Sequence, residues 1–386
     1  MLTRRSFLAT SGTLALGQLL SACGSSAADL RVLLLQGSVP PQLLKAFRQQ
    51  LSSPLSLDFK PQGQLQELFE LLETWQGENQ NKNSLLSNLP KIPVINPPPP
   101  SLSDFVTLGN FWLTQAIEKD LIQPLNIAQT ANWQKLSPRW QGLVKRDQQG
   151  NLQENGAIWG APYRWGTTLI AYRSDKLDWK PQDWSDLWDQ RLGDRITLVD
   201  QPREVIGLTL KKLGNSYNSQ NLSQIPQLKS ELLALQKQVK YYSSKHYLQP
   251  LLIGDAWVSV GWSNDIIPLL SKRRNIKAVV PVSGTSLWSD IWVKPKSKKP
   301  SELSETATEW IDFCWQPQAA NLISLFADAA SPMINTIDKQ QLSPEVINNP
   351  LLFIDPAIFA KCEFLEPLSK KVEEEYLTLW KEIRNS

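Results

Sequence analysis

The sequence predicts an α/β protein with more than one core, helices layered over sheets, and three observations carry that expectation. The chain has 386 residues, past the roughly 250–300 residues at which single cores stop growing. Short apolar runs of strand length alternate with helically spaced segments, the pattern of helix-covered sheets. The composition is that of a binder. Forty Lys+Arg against thirty-seven Asp+Glu leave a net charge of +3, too near neutral for a nucleic-acid partner. One histidine, His246, and three cysteines, Cys23, Cys314 and Cys362, leave little for a zinc site and a single candidate for a Ser-His-Asp triad. Sixteen Trp stand beside seven Tyr, rigid faces for ligands as well as for cores. No metal and no cofactor is expected.

Residues 1–22 read as an export signal. Thr3-Arg4-Arg5-Ser6-Phe7-Leu8 opens a stretch, Phe7–Leu20, that is too short to span a bilayer as a mature helix. It ends in Leu20-Ser21-Ala22-Cys23-Gly24, which resembles a bacterial lipoprotein signal whose cysteine thiol takes the lipid. The arginine pair resembles a twin-arginine signal, although a plain secretory signal can also carry two arginines. Cleavage before Cys23 removes Arg4 and Arg5, lowers the net charge from +3 to +1, and leaves residues 23–29 as a tether. No second stretch is apolar enough to cross a membrane. The protein is therefore expected on the periplasmic or outer-surface side of a bacterial membrane, anchored through lipid at Cys23. In that oxidising compartment Cys314 and Cys362 have two open readings, a disulfide or two buried thiols.

The body alternates strands and helices. Leu30–Gln36 is a buried strand, and Pro40–Leu51 and Leu65–Trp75 are helices. Gln76–Asn96 reads as a surface excursion interrupted by a strand at Ile92–Ile95, and Pro97–Pro100 as extended polyproline. Phe111–Lys119 is helical, Gly166–Tyr172 is extended, and Trp184–Trp188 is a helical turn. Arg195–Asp200 is a strand followed at once by a helix, with Pro202 in its first turn and Gly214 just past its end. Ala256–Gly261 is a strand that stops at Trp262-Ser263-Asn264. Ile276–Val282 and Leu287–Val293 are strands joined through Gly284.

Three places gather ligand-binding chemistry. In Leu287–Val293 the alternation points Trp288, Asp290 and Trp292 to one face. An aspartate between two indoles suits an organic ammonium, by charge pairing and by cation–π attraction. The same face also fits tryptophans packed under a helix with Asp290 reaching water. At Asp200-Gln201-Pro202-Arg203-Glu204 a strand ends and a helix begins, where ligands of open α/β sheets gather. Glu204 there either caps the helix or faces a cleft. Tyr163-Arg164-Trp165-Gly166-Thr167-Thr168 sets hydroxyls beside a glycine, a ligand-facing strand or a kinked core strand.

Taken in order, Ala161–Thr168, Trp184–Trp188, Asp200–Val205, Trp262–Asn264, Trp288–Asp290 and Leu342–Val346 resemble the polyamine-binding proteins of spermidine/putrescine ABC transporters. Asp-x-x-Arg-Glu-Val leading to Lys-Leu-Gly (Lys212–Gly214), with Trp-x-Asp far downstream, carries most of the resemblance. It implies a two-lobed fold of the periplasmic-binding-protein type II class, each lobe a mixed sheet covered by helices. The first lobe would hold residues 30–166 and 288–334, the second 167–287 and 335–386, with crossings near Thr167, Trp288 and Ser331–Asn335. It implies no enzyme. The partners would be a small cationic solute in the inter-lobe cleft, and permease and ATPase subunits that carry it inward. In the cleft Trp262 and Trp288 match the family's tryptophans, and Glu204 and Asp290 match acids that receive amines. Trp165 and Thr167 lie in the hinge-side motif without an assigned contact.

The chain departs from the family pattern at four places. Gln201 replaces a second acid, Phe111 stands where a Tyr is expected, Gln36–Ser38 lacks the early Trp-Thr, and Arg164 adds a positive charge. Fewer acids imply a shorter or less charged amine, or an organic solute that is not a polyamine. A secreted carbohydrate-active enzyme is the rival reading, since Trp platforms and paired acids also describe glycosidases.

Overall fold

The computed structural model describes residues 28–77, 102–297 and 302–386. The export signal, Cys23, Ile92–Ile95 and Pro97–Pro100 lie outside the described residues. The strands in chain order are β1 (Leu30–Leu35), β2 (Leu57–Gln62), β3 (Phe105–Gly109), β4 (Ile122–Gln123), β5 (Lys145–Arg146), β6 (Ala157–Ile158) and β7 (Ala161–Arg173), followed by β8 (Ile196–Leu198), β9 (Val239–Tyr242), β10 (Val258–Trp262), β11 (Ile276–Val279), β12 (Ser286–Pro295) and β13 (Glu363–Phe364).

Strand β7 organises the molecule. Its 13 residues are buried at every position except the last, as in a strand covered on both faces. Its first half pairs antiparallel with β12, from Ala161–Trp292 to Thr167–Leu287. Its second half pairs antiparallel with β10 on one edge and β11 on the other. Beyond β12 lie β3, β1 and β2, and beyond β10 lie β8 and β9, so one strand belongs to two mixed sheets. Gly284 makes the turn between β11 and β12. Its φ of +88° is left-handed, and a Cβ there would sit 2.3 Å from the Lys361 carbonyl oxygen, so no other residue fits without a shift.

Two buried clusters flank this sheet. The first gathers β1, β3, β12 and the first half of β7 under helices Pro41–Gln50, Leu65–Trp75, Glu305–Cys314 and Pro317–Phe326, and continues onto one face of the second sheet through Leu169, Ala171 and Ile266. Aromatic edges and faces fill it: Phe47 and Phe59 meet Trp310 at 5.1 and 5.0 Å, and Tyr163 meets Trp292 at 4.6 Å. The second gathers Ile170, Tyr172, Ile196, Leu198, Val258 and Val260 under helices Pro202–Lys212, Leu228–Gln236 and Lys370–Arg384.

The tryptophans go mainly to these cores. Trp133, Trp140, Trp159, Trp165, Trp184, Trp292, Trp310, Trp315 and Trp380 are buried. The Trp165, Trp184 and Trp315 indoles donate to the carbonyls of Ser331, Gly284 and Pro162. Leu342, Val346, Leu351, Leu352, Ile354 and Cys362 pack into the first cluster, and Val372, Tyr376 and Trp380 into the second. The chain passes from the first cluster to the second between Cys362 and Val372. Ser331 stays beside Ala330, whose N–H and C=O pair with those of Trp165. Cys314 and Cys362 are free, buried thiols. No helix among the described residues is long and apolar enough to cross a membrane.

Candidate functional site at the junction of the two sheets

The register of β7 against β12 builds the site. Trp288 lies opposite Gly166 and Asp290 opposite Arg164, and alternation places both pairs on one face. The missing side chain of Gly166 makes room for the indole. A Cβ there would lie 2.4 Å from Trp288 Cζ2 and 2.1 Å from Ser263 Oγ. Trp288 is half-buried, and its Nε1–H has no hydrogen-bond partner among the described residues.

Asp290 does not wait unpaired between two indoles. Arg164 Nε donates to Asp290 Oδ2 at 2.7 Å, with side chains 5% and 3% exposed. Arg164 Nη1 donates to the Ala327 carbonyl at 2.7 Å, and its Cζ sits 5.8 Å from the Trp288 ring. Burial pushes the Asp290 carboxyl upward, and the charge and hydrogen bond of Arg164 oppose that. Trp292 is fully buried against Tyr163 and Trp310 under the helix Glu305–Cys314. The strand face thus divides: Trp288 half-buried where the two sheets meet, Trp292 in the core.

Glu204 is turned away from helix capping. It lies in the first turn of Pro202–Lys212, whose N-cap Gln201 makes no side-chain cap bond. Its Oε2 accepts from Ser286 Oγ at 2.6 Å and Thr168 Oγ1 at 3.0 Å. Burial raises its carboxyl above the ordinary value, opposed first by Ser286 and Thr168 and then by the Trp262 indole and Arg203. Glu204 is therefore a buried acid held by hydroxyls, between a helix of the second cluster and the strand shared by both.

Trp262 ends β10 and is positioned from behind. The Tyr247 hydroxyl accepts from the Trp262 backbone N–H at 3.1 Å and donates to Asp265 Oδ2 at 2.8 Å. The two rings meet edge to face at 6.1 Å. Burial raises the Asp265 carboxyl, opposed by that hydroxyl and by the charge of Arg164. Arg164 and Lys272 likewise oppose the upward push of burial on Asp328.

The remaining expected residues fall in different surroundings. Trp165 is core, packed on Trp140 and Phe359 at 5.5 and 5.1 Å. Thr167 is fully buried; its N–H donates to Ser263 Oγ and its hydroxyl has no partner among the described residues. Gln201 is exposed and donates weakly to Ser244 Oγ at 3.4 Å. Phe111 is 58% exposed in a short turn, anchored because Asn110 Oδ1 accepts from the Ser289 N–H at 2.8 Å.

Sequence reasoning missed Ser286, although it shares a strand face with Trp288 and Asp290 by the same alternation. It missed Tyr247 and Asp265 because nothing local marks a tyrosine from a distant loop as the support of Trp262. Two surface grooves, of about 610 and 550 Å³, contain none of the site residues. Among the described residues no group of three or more His, Cys, Asp and Glu could hold a metal ion.

The comparisons agree with this architecture. The chain is 25% identical over 276 residues to the spermidine/putrescine-binding periplasmic protein of Salmonella typhimurium, covering 71% of this chain and 76% of that one. It is 27% identical over 244 residues to the putrescine/cadaverine-binding protein of Pseudomonas aeruginosa, covering 60% and 68%. The spermidine/putrescine transporter substrate-binding protein PotD of Streptococcus pneumoniae superposes with a TM-score of 0.75 at 21% identity, over 92% of this chain and 98% of that one. The fold is thus the two-lobed periplasmic-binding-protein fold that the sequence resemblance implies. The profile of the bacterial extracellular solute-binding proteins matches residues 102–362, well over half of the sequence, and the chain belongs to that family.

Proposed function

We propose that the protein is the lipid-anchored, extracytoplasmic receptor of an ABC importer, holding a small cationic organic solute in a cleft between its lobes. The observation that carries this reading is Glu204: a carboxylate buried where the two sheets meet, satisfied by two hydroxyls and the Trp262 indole, and paired with no cation within salt-bridge distance among the described residues. A buried acid of this kind gains most from a charged partner that arrives with its own apolar surface. The Trp262 and Trp288 faces supply the matching apolar walls, and the named ligands of the two relatives are amines. Lipid attachment at Cys23 would keep the receptor beside its permease and ATPase. The first lobe would hold residues 30–166 and 288–334 and the second 167–287 and 335–386.

Thermal melting in the presence of amines, amino acids and neutral sugars tests the reading. A solute at a hundred times its dissociation constant stabilises by about 2.7 kcal/mol. Amines should raise the melting temperature of the wild type and leave that of Glu204→Gln unmoved. Stabilisation by a neutral sugar that survives Glu204→Gln would sink the cationic-solute reading.

A further inference from the structure

An acid beside an indole face is a receptor for an organic cation, and here that receptor already holds one. Arg164 Nε lies 2.7 Å from Asp290 Oδ2, its Cζ lies 5.8 Å from the Trp288 ring, and its Nη1 is tied to the Ala327 carbonyl. The side chain is 5% exposed, so it is built into the wall and does not lie across it. A guanidinium does not deprotonate in a protein, and Asp290 is never released as a bare carboxylate while Arg164 stays in place. An ammonium brought to Asp290 would meet that like charge.

We propose that Arg164 sets the solute specificity of the cleft: its guanidinium occupies the cation position formed by Asp290 and Trp288, so that the protein selects a solute with one ammonium group, anchored at Glu204, over diamines and polyamines. The inference rests on the cationic-solute reading above. Strand geometry supports it. Ser286, Trp288 and Asp290 share one face of β12, and Glu204 reaches Ser286 Oγ at 2.6 Å. Asp290 lies four positions beyond Ser286, roughly 13 Å along the backbone at about 3.3 Å per residue. Glu204, through Ser286, and Asp290 therefore lie on either side of Trp288 along that face. With Arg164 present, the Asp290 end of that face is filled from within.

The test is calorimetric titration of n-butylamine, putrescine and spermidine into the wild type, Arg164→Met and the double variant Arg164→Met/Asp290→Asn. The wild type should bind n-butylamine at least as tightly as spermidine. Arg164→Met should raise the ratio of spermidine to n-butylamine affinity by two decades or more, and the double variant should lose that gain. The double variant removes both charges of the pair and so keeps the comparison usable if Arg164→Met is poorly stable; spermidine, and not n-butylamine, should then restore the melting temperature of the single variant. An unchanged ratio in Arg164→Met, or a wild type that prefers spermidine tenfold, overturns the role of Arg164 and leaves the cationic-solute reading standing. Failure of all three proteins to bind any amine overturns both.

Discussion

Replacing Asp290 by Asn tests whether Arg164 and Asp290 hold the ligand-free protein together. The substitution keeps the shape of the side chain and removes its charge, leaving the guanidinium in a site where it is 5% exposed and keeps its bond to the Ala327 carbonyl. Breaking a buried pair from one side typically costs about 3–5 kcal/mol, because the remaining charge stays desolvated. At roughly 2.1 cal/mol/K per residue, unfolding the whole chain carries an entropy of about 0.8 kcal/mol/K, so the melting temperature should fall by about 4–6 °C. Arg164→Met should cost a similar amount. The double variant should recover much of the loss, since an apolar replacement of a buried pair is often neutral. Calorimetric melts of the four ligand-free proteins complete the cycle. A melt of Asp290→Asn within a degree of the wild type would refute the pairing, and Asp290 would then be free for solute.

Other expectations follow from the same geometry. Gly166→Ala puts a Cβ 2.1 Å from Ser263 Oγ and 2.4 Å from Trp288 Cζ2; overpacking of this sort costs about 1–3 kcal/mol, so the variant should melt lower and bind amines more weakly, and wild-type values in both measurements would contradict the packing. Burial raises the Glu204 carboxyl, so its stabilising contribution is complete below the unfolded value of about 4.3 and is lost as pH rises through the higher folded value. Glu204→Gln, uncharged throughout, should gain stability relative to the wild type as pH rises above about 4.3, and a difference that stays flat across melts as pH rises counts against the burial. The same variant should lose about two to four decades of amine affinity, at 3–5 kcal/mol for the lost partner and 1.4 kcal/mol per decade. Cys23→Ala should release the protein from the membrane fraction or leave it uncleaved, and fractionation identical to the wild type would remove the lipid anchor from the proposal.

Much of the architecture was legible because it is written in local patterns. The helices at 41–50 and 65–75 and the turn at 184–188 fall where spacing and proline place them, and β1, β10, β11 and β12 match their apolar runs to within a few residues. Strand β2 escaped notice because it is an edge strand carrying Lys60 and Pro61 with no buried residue, the composition by which edges avoid further pairing. Strand β3 is buried at four positions but is only five residues long, too short for periodicity to separate it from a helix turn. At the candidate site, Glu204, Trp262 and Trp288, singled out from local patterns, lie near the junction of the two sheets, while their contacts with Ser286, Tyr247 and Gly166 came only from the structure. The fate of Asp290 depended on which residue of β7 stands opposite it, a matter of register across more than a hundred residues of chain. Trp292 shows the same limit: alternation gives its face correctly and says nothing about where along that face the cleft gives way to core.

The sharing of β7 between two sheets has a mechanical consequence. A loop between lobes lets them swing with little resistance, but here the backbone hydrogen bonds of Thr167 and Thr168 tie β7 to β12 on one side and β10 on the other. Any change in angle between the halves has to be taken up by twisting a paired ribbon, which stores the deformation and pushes back. Trp288 packs in the space left by Gly166 of that ribbon, and Thr168, two residues further on, donates to Glu204. A solute held as proposed, between Glu204 and Trp288, would touch side chains that themselves contact the strand shared by both sheets.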